Sequence, residues 1–399
     1  MKKNLTLLFS LSQCAYWCAF ATISAFASLY LLSIGVSNST IGTVIAIGAL
    51  ISAILQPVFG TLSDRYPAFS AKRILIVLIA LSFLCAGILL AIGGNNLTLA
   101  CILYSLCAMM LQLMQPFVNS LAMLSINDGH TLNFSITRAV GSIGYAGAAY
   151  VIGNAAAKLG AFIVPLFIIA SYVLLLATLF FFPAVKSGIG GNVPADDNLA
   201  IDGNGKKTDT FFFKKYPKFT IMFFGLIMIY IGHVFINNFT LQIIQTKGGD
   251  SAEMGTVASL AAIIELFMMF SFAYVRKYVS LRTLLRISGI AFTLKVLASL
   301  LVPNVGLYYA IQLLQLLGWG IMCVGLVYYV NEVMAPEDAV KGQAYATMTY
   351  TIATIVGSWS AGLLLDLSGV RLMLIVGTIV SGIGAAVLVL GTTKEKKVA

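Results

Sequence analysis

Apolar residues run along this chain in blocks of about twenty, separated by short polar interruptions. The blocks lie near residues 7–33, 41–62, 74–93, 97–124, 132–157, 162–183, 217–243, 254–275, 282–302, 306–330, 343–366 and 371–391. A hydrocarbon core about 30 Å thick is crossed by about 20 residues of helix rising ~1.5 Å each. Lipid offers the backbone no hydrogen-bond partners, so a continuous apolar run of that length crosses as a helix. The pattern predicts an all-α membrane protein with twelve transmembrane helices, referred to below as spans 1 to 12. The opening Met1-Lys2-Lys3 before an apolar run imitates a secretory signal, but the run continues to about Ser33. That is too long for a signal core, and it is read as span 1.

One interruption is unlike the rest. Between Pro183 and Pro217 the chain is polar, glycine-rich and without helical periodicity up to Phe211. It reads as a flexible cytoplasmic linker over 184–216, dividing an N-terminal six-helix bundle (1–183) from a C-terminal one with a short tail (217–399). The halves repeat each other. Gly42-Thr43-Val44 opens span 2 and Gly255-Thr256-Val257 opens span 8, each followed by a basic loop after its apolar run. Span 4 carries Gln112 and Gln115 where span 10 carries Gln312 and Gln315. Two pseudo-symmetric six-helix bundles with a site near the midplane between them is an architecture of secondary transporters.

Composition agrees with a membrane class. Sixty per cent of residues are hydrophobic and 10% charged, with a mean hydropathy of +0.97; a soluble domain carries about 25% charged residues. The net charge of +10 raises nucleic acid as a partner, but its placement excludes that reading. Lys and Arg gather in the two tails and the even-numbered loops, and the odd-numbered loops hold just Lys158, Lys247 and Arg371. This asymmetry predicts a multi-pass protein of the plasma (cell) membrane with both termini cytoplasmic. All six cysteines fall inside spans without metal-ligand spacing, which makes them small packing residues. No phosphate-binding Gly-rich loop, metal constellation or nucleophile elbow occurs, so neither an enzyme nor a cofactor or metal site is expected. Oligomeric state is left open.

Charges inside spans are few and therefore informative. Of 14 acidic residues, Glu265 alone interrupts an apolar run, at a cost of about 3 kcal/mol on insertion scales. Lys295 lies at a similar depth in the next span; the pair is either an ion-coupling device or a static tie between helices. Arg138 sits about 10 Å into span 5 by helical rise, placed to bind solute or to snorkel back to the cytoplasm. His233 is a candidate proton carrier with Asn237 one turn on, or simply a partner for a neighbouring helix. Gln112, Gln115 and Asn119 share one face of span 4, and Gln312, Gln315 and Trp319 one face of span 10. Those faces fit either a wet cavity or interhelical hydrogen bonds. Tyr16 and Trp17 on span 1 and Tyr350 on span 11 offer stacking surfaces or ordinary packing.

Several motifs carry a family resemblance. Gly60-Thr-Leu-Ser-Asp64-Arg65 through Lys72-Arg73 resembles the Gly-x-x-x-Asp-Arg…Arg-Arg loop of the major facilitator superfamily, though it is longer and lacks the second Gly. In that family the Asp caps a neighbouring helix and the basic residues brace the cytoplasmic gate. Arg138-Ala-Val-Gly141-Ser-Ile-Gly144-Tyr145 is similar to the span 5 Arg-x-x-Gly-x-x-Gly-Trp of lactose permease. There the Arg bonds sugar hydroxyls and the aromatic stacks on the sugar. Glu265 and Lys295 resemble the span 8 Glu and span 9 Arg of nucleoside/proton symporters. The chain departs from the permease at Gln315 and Gly318, where its proton-handling His and Glu fall, and at Asn119, beside or at its acidic sugar ligand.

The resemblance implies a secondary active transporter of the lactose permease and nucleoside/proton symporter branch. It would carry a small polyhydroxylated solute, an oligosaccharide or nucleoside, together with a proton or sodium by alternating access. Expected solute ligands are Arg138, Tyr145, Asn119, Gln115, Gln112, Gln312, Gln315, Trp319, Tyr16 and Asn237. Expected ion-coupling residues are Glu265, Lys295 and His233, and the expected gating loop comprises Gly60, Asp64, Arg65, Lys72 and Arg73. Proton-driven export of amphipathic compounds on the same fold is the alternative. A non-transporting receptor or scaffold is a second alternative, disfavoured by the buried ions.

Overall fold

The computed structural model describes residues 4–66, 69–182, 212–335 and 338–392. Among them are ten helices long and apolar enough to cross a membrane. One, Lys341–Gly391, is two helices in sequence, because Ser368 (φ −153°) and Gly369 (φ 73°) leave helical geometry. Gly369 can hold that left-handed φ without steric cost, and the chain reverses there between spans 11 and 12. Phe134–Leu159 has the length of a span but is diluted by glycine and alanine. With the long helix counted as two and this one added, twelve segments of spanning length lie among the described residues.

Span starts are written in the polar residue ahead of each apolar run. Ser37, Asn96, Asn133, Ser280 and Asn304 each accept a hydrogen bond from a first-turn amide of spans 2, 4, 5, 9 and 10. Asp250 and Glu253 form a reciprocal capping box at the start of span 8, Ser251–Val275. Each cap contributes about 1 kcal/mol by pairing an otherwise orphaned amide. The tail near Asn4 pairs with Thr131, and Thr392 accepts from Arg286. Both termini therefore share one end of the bundle with the even-numbered loops; the opposite end is called the far end.

The linker reading needs one correction. Residues 184–211 lie outside the described residues, but Phe212–Lys215 is a helical turn, not flexible chain. Phe212 stacks near Tyr345 (4.8 Å) and Phe213 does the same. Phe212 and Phe213 thus supply the apolar surface that meets span 11.

Helical breaks or prolines occur in the first and fourth spans of each half, and Pro57 also lies inside span 2. Span 1 runs Thr6–Phe20, passes through a π-helical turn at Ala21–Ala25 and resumes at Ala27–Ser33. Span 4, Leu97–Asn127, contains Pro116. Span 7 breaks at Phe239 between Pro217–Asn238 and Thr240–Gln245. Span 10 is the most interrupted, with a 3-10 turn at Ile311–Leu313, a short helix Leu314–Leu317, and Gly318 (φ −76°, ψ −92°) before Trp319–Val333. Broken helices at membrane depth are tolerated where they border a cavity or buried polar groups, and those four spans supply the polar faces predicted above.

Two seams join the halves at the far end, span 2 on span 11 and span 5 on span 8. Gly42 lies against the Ser358 backbone and Gly362 against that of Asn38; Gly153 lies against Ser251 and Gly255. A Cβ at any of these would collide with backbone, so glycine sets how closely the helices approach. The repeated Gly-Thr-Val at residues 42 and 255 thus has a physical reason: both copies place their glycine in a seam.

Candidate functional site

The N-terminal wall is built around Arg138. Its Nη1 donates to Ser142 Oγ (2.9 Å), one turn deeper, and the guanidinium lies over the Trp17 ring at 4.1 Å. A snorkelling arginine would reach back toward Thr131; this one points inward. Trp17 Nε1 donates to Gln13 Oε1 (3.1 Å), and Gln13 Nε2 donates to Asn119 Oδ1 (3.2 Å). A chain of directed contacts therefore runs from span 5 through span 1 to span 4. The glycines of the Arg-x-x-Gly-x-x-Gly-Tyr pattern make room for it. A Cβ on Gly141 would stand 2.5 Å from Trp17 and one on Gly144 2.7 Å from Cys14. Tyr145 follows on the same face, its ring 6.4 Å from Phe20.

The C-terminal wall holds the ionisable pair, and the pair is not in direct contact. Lys295 Nζ donates to Gln315 Oε1 at 2.6 Å, and Gln315 Nε2 donates to Glu265 Oε2 at 3.4 Å. One amide on the broken part of span 10 thus joins span 9 to span 8. Arg138 lies within electrostatic reach of Glu265, so the carboxylate faces a cation on each half. Glu265 is half-buried and Cys323, one turn from Trp319, is exposed, whereas Lys295 is buried. The glutamate therefore keeps some exposed surface, while its lysine partner is buried.

Beside the pair is an aromatic cluster. His233 stacks on Trp319 (5.2 Å, 16°) and meets Phe292 edge-on at 5.1 Å. Tyr230 and Tyr350 close the group around Trp319 at 5.9 and 5.3 Å. His233 Nδ1 is buried without a partner among the described residues. No described hydrogen bond links His233 to Glu265, so the structure does not bring the expected third coupling residue into the relay. Toward the far end, Tyr145, Asn237, Lys295, Gln312 and Tyr308 line a small cavity between the halves.

Other expected ligands fall differently. Tyr16 is 1% exposed and donates to the Leu111 carbonyl at 3.1 Å, which makes it a tie between spans 1 and 4 and removes it from the cavity wall. Gln312 is buried and donates to Tyr308 O at 3.0 Å. Gln112 and Gln115 are half-buried on span 4, and the Gln112 carbonyl accepts from Gln56 at 3.2 Å. In the gating loop, Gly60 ends in open space and Lys72 Nζ caps span 6 through Phe182 O at 2.6 Å. Arg73 is exposed. The side chains of Asp64 and Arg65 lie outside those described.

Three participants had no clear sequence signal. Gln13 reads as an isolated amide in span 1, and Tyr308 as an aromatic near a span end. Asp366 reads as a loop acid, yet it accepts from Asn38 N (3.2 Å), Asn38 Nδ2 (2.9 Å) and Ser39 N (2.7 Å). A carboxylate of span 11 therefore caps span 2 across the far-end seam, and Gln242 of span 7 donates to Asn38 Oδ1 at 2.9 Å.

Comparison with known proteins places this geometry. The nucleoside transporter NupG has a TM-score of 0.78 to this chain at 15% identity, covering 98% of this chain and 100% of that one. A bacterial homologue of the iron transporter ferroportin, in an inward-facing state, scores 0.71 at 15% identity with coverage of 97% and 98%. A POT family transporter in complex with a thioalcohol-conjugated peptide scores 0.72 at 13% identity with coverage of 97% and 96%. These likenesses establish a shared transporter fold. No curated protein sequence matches the chain. The model of the MFS_1 like family matches residues 9–376, and the chain belongs to that family of membrane transporters.

Proposed function

We propose that this protein is a proton-coupled symporter of a small polyhydroxylated solute, a nucleoside in preference to an oligosaccharide. The single observation that carries the reading is Glu265, half-buried between Arg138 of one half and the Gln315–Lys295 relay of the other. A half-buried carboxylate faced by two cations can exchange a proton while its neighbours respond to the change in charge.

The solute class rests on Arg138 and the aromatics. A guanidinium held over the Trp17 ring presents its remaining donors as a fork to vicinal hydroxyls. A nucleoside adds a planar base, which the His233–Trp319–Tyr350 group suits. The nucleoside transporter among the solved structures of this fold supports the same choice. Positive-inside placement of the basic loops supports cytoplasmic termini in the cell membrane, with the far end outside. Closure of both far-end seams then corresponds to a state open toward the cytoplasm, with Gln56 and Cys323 exposed on that side.

The test is transport by purified protein in liposomes, after a thermal-shift screen against nucleosides, oligosaccharides and cationic dyes to choose the solute. Glu265→Gln is expected to lose accumulation driven by a pH gradient, by about 100-fold, as for other positioned proton-transfer groups. Exchange of labelled for unlabelled solute should persist. Wild-type accumulation in Glu265→Gln would refute the coupling role. Stabilisation by dyes alone would favour the export reading, which the same aromatic cluster could serve.

A further inference from the structure

Gln315 stands between the two charged groups of the C-terminal half with both ends of its amide engaged. Its carbonyl oxygen accepts from Lys295 Nζ at 2.6 Å and its NH2 donates to Glu265 Oε2 at 3.4 Å. An amide is polarised, and here its negative end meets the cation and its positive end the carboxylate. The side chain is 6% exposed, so a solute would have to displace one of the charged groups to reach it. It also sits on Leu314–Leu317, the short helix isolated between the 3-10 turn and Gly318. That segment is anchored from another side, because Ser288 Oγ donates to the Gly318 carbonyl at 2.6 Å.

We infer that Gln315 is a positioning residue for ion coupling: its amide holds Glu265 and Lys295 one side chain apart while transmitting the charge of each to the other. The inference rests on Glu265 being the coupling group, and it assigns Gln315 to the relay and not to the solute. A direct pair between those groups would be a static tie, closed to solvent on both sides. The interposed amide keeps the two charged groups apart, with Lys295 bordering the small cavity between the halves. Because the bridge belongs to the interrupted part of span 10, a change of charge at Glu265 pulls on a segment with few helical hydrogen bonds to resist it.

Other groups act on the same carboxylate and must be kept constant in any test. Arg138 faces it from span 5 and Lys295 from span 9; Tyr145, Tyr350 and Cys323 lie within electrostatic reach. His233 faces Lys295 from span 7.

The experiment is an infrared titration of the purified protein without solute, following the carboxylic-acid band that Glu265→Gln removes. Gln315→Leu nearly keeps the volume and removes the hydrogen-bonded bridge. Its band is expected to titrate about one pH unit higher than in wild type, because the carboxylate loses a donor and its link to a cation. Gln315→Met, unbranched and of the same length, should move the same way and covers the case in which the leucine variant does not fold. Lys295→Met should raise the midpoint in both backgrounds, because the lysine also acts on the carboxylate through space. Midpoints unchanged in both Gln315 variants would overturn the inference. Its failure is distinguishable from failure of the coupling reading, which would appear as intact pH-driven accumulation in Glu265→Gln.

Discussion

The two walls of the cavity solve different problems with similar residues. Both use an amide to connect neighbouring spans, Gln13 on the N-terminal side and Gln315 on the C-terminal side. On the N-terminal wall the amide supports, through Trp17, the guanidinium of Arg138. On the C-terminal wall it bridges a lysine and a carboxylate, both of which can change charge. The first wall suits recognition and the second suits response. A fixed charge aims a ligand; a titratable one reports a proton.

Substitutions on each wall should therefore separate affinity from coupling. Arg138→Lys removes the planar fork and its stacking on Trp17 while retaining charge. A loss of about 1.5–3 kcal/mol in solute binding, roughly 10- to 100-fold in Kd, is expected by calorimetry. The pH dependence of transport should be unchanged; altered coupling with normal affinity would erase the division between the walls. Trp17→Leu leaves Arg138 without its platform and Gln13 without its indole donor. The cation–π contribution of about 0.5–2 kcal/mol predicts a smaller loss of affinity, about 3- to 30-fold.

Where the walls meet, the effect should be on population and not on either role. Asp366→Asn weakens a charged cap on span 2 that crosses the far-end seam. Such a contact is worth about 0.3–1 kcal/mol, so the open-to-closed ratio of the far end should rise about two- to fivefold. Distances between spin labels on the far ends of spans 2 and 11 would report it. A seam unmoved by the substitution would leave the glycine contacts as the whole of the closure.

The smallest effect is expected far from both walls. Asp338 accepts from Lys215 Nζ and Tyr216 OH, each at 2.7 Å, at the start of span 11. Burial pushes its carboxyl up, but those donors outweigh it and hold the group below the usual aspartate range. The folded state then gains stability that is complete above the ordinary aspartate pKa of about 3.9 and is lost as pH falls through the lower folded value. Asp338→Asn should lower stability by about 0.5 kcal/mol near neutral pH, because Lys215 is largely exposed. Melting temperatures of the two proteins should converge in acid, with transport unaffected throughout.

Much of this was legible in the sequence because lipid constrains it so strongly. Apolar runs gave the spans, and the polar residue ahead of many of them is a cap in the structure. The Gly-Thr-Val repeat marked the pseudo-symmetry of the halves, and its glycines lie in the seams. Side-chain partners between helices were not legible. Spacing of three or four residues identifies a face but not what lies opposite, so Gln13 met Asn119, and Tyr16 turned to the Leu111 carbonyl, without any local signal. The interruption of span 10 was hidden as well. It contains no proline between Val305 and Val333, and Gly318 was visible only as a missing acid.

Proton movement itself is the most direct test. Liposomes containing the protein, with a pH electrode in a weakly buffered exterior and no imposed gradient, should alkalinise the exterior as solute enters. Glu265→Gln should admit solute with no change in external pH. Alkalinisation persisting in Glu265→Gln, at the wild-type ratio of proton to solute, would contradict the assignment of the proton to that carboxylate.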